Sequence, residues 1–461
     1  MKKRTFLKLT STLMTGAALA NFSSCTQNGS SSASSLKNWA GNLTYSTQNI
    51  FEPKTIEEVQ EVVKSCSHLR TLGTRHCFNR IADSSANLLS TKNLNAIISL
   101  DQDRKNVTVG GGIRYGELCE YLHKNGYAIH NLASLPHISV AGACATATHG
   151  SGVTNGNLAK SVLSIEFISG SGDKVTLSRD KDGDKFYGAV VALGSLGVVT
   201  QITLELLPAF NMQQEVYLNL PMQQLAENFD AIMSSGYSVS LFTDWQTESI
   251  NQVWVKRVSG ENQEVMAAKN FYGATPATRN VHPIIEISAE NCTEQMSVAG
   301  PWYERLPHFK MGFTPSSGEE LQAEYFVPRD KAVEAIKLVH TLKDEIKPVL
   351  MISEIRTIAA DDLWMSMAYK QDSVAIHFTL TQDTERVMAL LTKIEEKLSP
   401  LGVRPHWGKL FTLDPRTLQS RYERINDFRS LMTEYDPEGK FINEFVKQNI
   451  IPSTSQGKHN T

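Results

Sequence analysis

The sequence predicts an α+β protein of two domains, and three observations carry that expectation. Up to Pro208, short strand-like runs alternate with amphipathic helices and glycine turns. Beyond Pro208 the segments lengthen and become strand-like, with two clear helices, which suits a mainly antiparallel sheet covered by helices. The chain of 461 residues is also long enough to bury two substantial cores. The expected divisions are a leader and tether at 1–35, a first domain at 36–208, a second at 209–435, and a segment at 436–461 that returns to the first before a tail.

Along the chain, Lys2-Lys-Arg4 followed by the short apolar run 7–20 reads as an export signal. Phe22-Ser-Ser-Cys25 has the form of a bacterial lipobox, so Cys25 is the expected site of cleavage and lipid attachment. Such a protein would be held in the cell envelope or periplasm, touching the membrane only through that anchor. Thr55 and Glu58 form a capping box, opening a helix whose buried stripe is Ile56, Val59, Val62 and Val63. Strands are expected at 70–72, 106–109, 163–169 and 198–206, with a helix at 115–124 stopped by Gly126. In the second domain the helices fall at 330–342 and 384–398, and strands at 350–357, 373–380 and 405–411. Asp436-Pro-Glu-Gly-Lys-Phe-Ile-Asn443 joins turn formers to aromatic anchors, which suits a docking segment.

Two stretches carry the chemistry of the first domain. Thr71-Leu-Gly-Thr-Arg-His-Cys77 and the segment from Ser134 to Gly152 crowd small residues, hydroxyls and a histidine. Glycine lets a backbone approach a bulky anion, and N–H groups in tight turns bind phosphate oxygens without cationic side chains. A nucleotide-type cofactor is therefore expected, with His76 placed to fix it. In the second domain Glu354 and Arg356 are two apart in one expected strand, and His377 and Thr379 in another, so each pair shares a face. Lys409 falls in a third. Charged residues inside apolar strands are costly unless paired or turned towards a cavity. A buried Glu354–Arg356 ion pair beside an incidental histidine fits that pattern as well as a polar pocket does.

A net charge of −3 gives no electrostatic reason to expect a nucleic-acid partner. Without Cys25 five cysteines remain at irregular spacing, neither a disulfide framework nor a C-x-x-C metal site, and no metal is expected.

Residues 38–210 resemble the flavin-binding domain of vanillyl-alcohol-oxidase-type (PCMH-type) flavoproteins. The second domain narrows the likeness. Leu241-Phe-Thr-Asp-Trp245, Gly300-Pro-Trp302, Glu304-Arg-Leu-Pro-His-Phe309, Phe313-Thr-Pro-Ser-Ser-Gly318, Glu354-Ile-Arg-Thr357, His377-Phe-Thr379 and Pro405-His-Trp-Gly-Lys409 are similar to the bacterial alditol (xylitol/sorbitol) oxidases.

The resemblance implies FAD, linked covalently through His76 to the 8α carbon of its ring. It places the cofactor against Thr71, Leu72, Gly73, Thr74, Arg75, His76, Cys77, Ser134, Ser139, Gly142, Thr146, Ala147, Thr148, His149 and Val198. A second, cysteinyl link found in a related subgroup would align with Leu135, so a single link is implied. Substrate contacts fall on Ser134, Glu354, Arg356, Thr379 and Lys409, with Lys409, Arg356 and His377 as the catalytic groups. Either Lys409 or His377 is the base, since a guanidinium stays protonated. The implied reaction oxidises the terminal hydroxyl of a polyol to the aldose, with O₂ reduced to H₂O₂ by a monomer. An envelope electron acceptor, an aldonolactone substrate or a non-catalytic sugar-binding lipoprotein are the alternatives. One departure stands out: the family has Gly-x-Gly-His-Ser where this chain has Gly73-Thr-Arg-His-Cys77. A left-handed Arg75 would cost about 1–2 kcal/mol, offset if its guanidinium pairs with the pyrophosphate.

Overall fold

The computed structural model describes residues 35–260, 270–312 and 320–452. The expected export signal with Cys25, the motif at 313–318 and the end of the tail lie outside the described residues. Thr55 caps the helix Ile56–Ser65 as expected, its hydroxyl accepting the Glu58 N–H at 3.2 Å. The return bond differs, because Glu58 takes the N–H of Lys54 rather than that of the cap itself. Val59 and Val63 are fully buried, and Ile56 and Val62 pack at the rim of the same cluster.

Arg70–Leu72 pairs in parallel with Leu88–Ser90, which also pairs with Ile50–Phe51, and this small sheet leads straight into the Gly73 turn. A five-stranded antiparallel sheet follows, in the order Ile97–Asp101, Asn106–Gly110, Val198–Glu205, Val162–Ile168, Lys174–Ser178. The helix Tyr115–Lys124 ends at Asn125, and Gly126 turns the chain at φ +84°. A Cβ is strained in that left-handed region, and glycine has none.

Every strand of the third sheet lies between Asn211 and Pro405. Among the described residues it has nine strands, with the central order Asn211–Pro221, Ser249–Val258, Ser238–Thr243, Leu350–Ile358, Ser373–Thr381, Glu320–Pro328, all antiparallel. Period-two alternation divides it into two unlike faces. Leu241, Val253, Ile355, Phe378 and Tyr325 point to one side. There they bury against the helices Met222–Met233, Ala332–His340 and Thr384–Leu398. Lys256, Glu324, Glu354, Arg356 and His377 occupy the alternate positions and share the other face.

Two expected elements are corrected. The helix expected at 330–342 opens with a 3-10 turn, Arg329–Lys331, and is α-helical only over Ala332–His340. The strand expected at 405–411 is just Arg404–Pro405. Pro405 brings no N–H to continue a ladder, and the Gly408 N–H folds back onto His406 Nδ1 at 3.0 Å. Lys409 is therefore presented by a turn.

The polar face meets the first region directly. Gly152 N–H donates to the Thr357 carbonyl and Phe78 N–H to that of Gly408. Asn79 Nδ2 clamps the carbonyls of Trp407 and Lys409 at 2.8 and 2.7 Å. One apolar cluster takes Val107, Leu118 and Ile202 from before Pro208 and Trp302, Phe326 and Trp407 from after it. Near the C-terminus, Asp436 accepts the N–H groups of Lys440 and Phe441. Phe441 is buried beside Val59 and Leu69, and its carbonyl accepts from Arg70 at 2.7 Å. Among the described residues no helix is long and apolar enough to cross a membrane.

Candidate active site

The two small-residue stretches of the first region lie against each other. Thr74 Oγ1 ties them, accepting the Ser139 N–H at 3.3 Å and meeting His76 Nδ1 at 3.0 Å. A Cβ on Gly73 would stand 2.5 Å from Ser139 Oγ, and one on Gly142 2.8 Å from the same atom. A side chain at the Gly73 turn, or at Gly142 in the helix Val140–Ala145, would displace the Ser139 hydroxyl. Beside them Thr146 Oγ1 lies 3.3 Å from both the Gly142 carbonyl and Thr148 Oγ1, and Ala147 takes φ +52°. Leu72 and Val198 are core residues, Val198 opening a central strand opposite Ile168.

Three polar atoms of this cradle are buried with no partner among the described residues: Thr71 Oγ1, Ser139 Oγ and His76 Nε2. Such atoms cost free energy unless something polar satisfies them. Their grouping beside Gly73 and Gly142 fits a bound nucleotide cofactor. Trp39 stacks on the His76 ring at 5.3 Å, and burial, with His137 nearby, pushes the imidazole down to about 4. His76 therefore stands neutral. Burial pushes the Cys77 thiol up to about 11.

Arg75 departs from the expectation in part. Its backbone is left-handed, φ +62°, as a glycine's would be. Its guanidinium is exposed and donates to the Lys37 carbonyl at 3.1 Å.

Across from the cradle stands the polar face of the large sheet. Cross-strand register sets Glu354, His377 and Glu324 side by side on three neighbouring strands. Glu324 is the centre of the array and was not among the expected site residues. Its Oε1 accepts from Arg356 at 2.7 Å and lies 3.2 Å from His149 Nε2, and its Oε2 accepts from Lys409 at 2.8 Å. Glu354 Oε1 accepts from His308 Nε2 at 2.7 Å and sits 3.6 Å from Arg356 Nε, so the expected ion pair exists but is long. Arg356 also donates to Ser134 Oγ at 3.3 Å, joining the first region to the sheet. His377 Nε2 faces Gln322 Oε1 at 3.1 Å, and Thr379, half-buried, continues the same face opposite Gln322. His149 reaches this wall as well, its ring edge-on to Phe326.

Electrostatics follow from burial set against pairing. Burial alone would raise Glu354, but Arg356, His308 and His377 outweigh it and hold the carboxyl well below its ordinary range. Glu324 behaves alike under Lys409, His149 and Arg356. Burial pulls Lys409 down, and Glu324 pulls it back up. Burial, then Lys409, pushes His377 far down, so it stays neutral. His149, Glu324 and His406 bring one ligand atom each within 4.8 Å. That carboxylate already faces two cations, which leaves little charge to hold a metal ion.

A pH dependence of stability follows. Burial, then Lys256, pushes His308 down to about 4, against about 6.5 in an unfolded chain. Between those values the unfolded state binds a proton that the folded state refuses, so stability falls as pH is lowered through that window. Glu324 and Glu354 extend the loss further. Their contribution is complete above about pH 4.5 and disappears as pH falls through their lower folded values. Thermal midpoints are expected to drop steadily between about pH 7 and about pH 5, and a flat profile there would contradict neutral buried imidazoles.

Comparison with known proteins decides the family. Residues 47–178 match the family model described as FAD binding domain, and residues 314–449 that described as D-arabinono-1,4-lactone oxidase. The alditol oxidase of a Streptomyces species is 46% identical over 418 residues, covering 90% of this chain and 99% of that protein. The chain belongs to the alditol oxidase family. It is an FAD-dependent oxidoreductase. The L-gulono-1,4-lactone dehydrogenase of Mycobacterium tuberculosis is 26% identical, covering 90% of this chain and 99% of its own. In fold the chain is similar to cholesterol oxidase from Brevibacterium sterolicum, with a TM-score of 0.73 at 14% identity, over 90% of this chain and 96% of that one.

Five residues of the wall escaped sequence reasoning: Glu324, Gln322, His308, Lys256 and His406. Glu324 had the signature that exposed Glu354, a carboxylate inside the apolar run Leu321–Val327. His308 lay within a segment resembling the family but carried no visible role.

Proposed function

We propose that this enzyme oxidises the terminal primary hydroxyl of a polyol of the xylitol or sorbitol type to the aldose, with O₂ taking the electrons as H₂O₂. The observation that supports this best is the wall itself. Glu354 can accept a hydrogen bond, Arg356 and Lys409 can donate, and Thr379 and Ser134 can do both, all around one buried carboxylate. A polyol offers only hydroxyls, each both donor and acceptor, and a site built for them rejects analogues lacking them.

In this reading Arg356 and Lys409 polarise the terminal hydroxyl and stabilise its developing negative charge. Burial lowers Lys409 against the pull of Glu324, so the hydroxyl proton goes either to that lysine or to the neutral His377. In the histidine the Nε2–H is bound to Gln322 Oε1, which leaves the Nδ1 lone pair for that task. When bound, FAD supplies the hydride acceptor for the carbinol carbon and passes the electrons to O₂. Thr71, Ser139 and His76 would hold it, His76 covalently. Residues 1–35 would export the protein to the envelope as a lipoprotein anchored at Cys25, working as a monomer.

Xylitol added without air is expected to bleach the flavin band, and air to restore it with peroxide formed. An L-gulono- or D-arabinono-lactone that bleaches the flavin while polyols do not would shift the assignment to the second reading, which the matched lactone oxidase model favours. His76→Ala is expected to keep the fold and lose the covalent link. Acid precipitation should give a yellow pellet from the parent and a colourless one from the variant. A variant that precipitates unfolded would make the imidazole structural.

A further inference from the structure

Behind Glu354 lies a buried chain that no step above uses. Lys256, in the strand Ser249–Val258, is 1% exposed. Its Nζ donates to the carbonyls of Leu306 and Pro307 at 2.6 and 3.1 Å and to His308 Nδ1 at 3.1 Å. Those three acceptors satisfy all three hydrogens of an ammonium. With Nδ1 occupied as an acceptor, the ring proton must sit on Nε2, which meets Glu354 Oε1 at 2.7 Å. Phe242 and Trp254 pack edgewise on the ring at 5.4 and 5.3 Å and fix its plane. The backbone N–H of His308 donates to the Ser134 carbonyl at 3.1 Å. One residue thus grips both a sheet carboxylate and a loop of the first region.

We propose that Lys256 and His308 form a positioning relay, in which the ammonium locks the imidazole tautomer so that Glu354 is held ionised and aimed at a substrate hydroxyl, in register with Ser134. The proposal rests on the polyol reading for its substrate. Neither residue touches the substrate. The ionisable groups facing His308 are Lys256, Glu354 and Arg356, and Cys292 and Arg305 lie near Lys256. Burial brings Lys256 down to about 7. Once neutral, its amine has two hydrogens for three acceptors, so its hold on Nδ1 weakens. Polyol binding should therefore weaken as pH rises past the lysine's titration.

The test is anaerobic rapid mixing of the holoenzyme with xylitol, which separates the dissociation constant from the limiting rate of flavin reduction. His308→Phe is expected to weaken xylitol binding about 10–100-fold, the worth of one charge-assisted hydrogen bond, with a much smaller change in limiting rate. His308→Gln, whose amide can still donate to Glu354, should recover most of it. Lys256→Met should weaken binding in the same direction and abolish the alkaline rise in dissociation constant. The double variant Lys256→Met/His308→Phe removes the unpaired amine, so a weakened but folded protein there separates positioning from misfolding. Unchanged binding in the folded double variant would overturn the relay. Histidine ¹⁵N spectra give a readout independent of turnover, with the His308 signal assigned by its loss in His308→Gln. A signal protonated on Nε2 in the parent and shifted in Lys256→Met supports the lock even if no polyol reduces the flavin, an outcome that would sink only the substrate reading. A Nδ1-protonated His308 in the parent would refute the lock outright.

Discussion

Glu324→Gln is expected to destabilise the protein by about 3–5 kcal/mol, the usual consequence of removing one partner from a buried charge cluster. The carboxylate has two acceptor oxygens at work, Oε1 for Arg356 and Oε2 for Lys409. Glutamine has one, and its NH₂ group would confront a cationic donor. Whichever way the amide turns, a buried cation loses its acceptor. Urea unfolding of the FAD-loaded protein at neutral pH measures the loss, and a change under about 1 kcal/mol would mean that the wall relaxes or admits water. Lys409 should also lose its proton more readily, since the carboxylate is what opposes its burial.

Lys409→Met is expected to slow flavin reduction at saturating polyol by about 10²–10³-fold, the scale for removing one donor to a developing oxyanion. If His377 is the base, the residual rate should keep the parent's acid limb. Methionine matches the length of the aliphatic stem but leaves Glu324 Oε2 without its partner, so the unfolding midpoint must be read alongside the rate. A variant of unimpaired stability and full rate would remove Lys409 from the chemistry. One that is inactive at every pH would return the proton-abstracting role to the lysine.

The sequence revealed most where the physical rule is local. Period-two spacing placed Glu354 with Arg356 and His377 with Thr379 on one face, because alternation needs no knowledge of distant partners. The cradle was legible for a similar reason, since crowded small residues signal close backbone approach. Glu324 carried the same local signature and was passed over, because its meaning depends on register with Ser373–Thr381, some fifty residues away. His308 shows the limit more sharply. It lies on no regular element, and its task exists only once the segment 306–308 has settled between Lys256 and Glu354. Lys409 was assigned to a strand because Pro405 to Phe411 looks extended, yet a proline and a side-chain bond to Gly408 N–H end the ladder. The outward turn of Arg75 hangs on the carbonyl of Lys37, which no motif encodes.

Alternation in the large sheet has an evolutionary corollary. Chemistry sits on one set of alternate positions and scaffolding on the other, so a lineage can exchange a residue that meets the substrate while its neighbours on the helix-backed side stay as they were. Because the charges of that face are paired with one another, each replacement there is screened at once for fit to a new ligand and for its cost to folding.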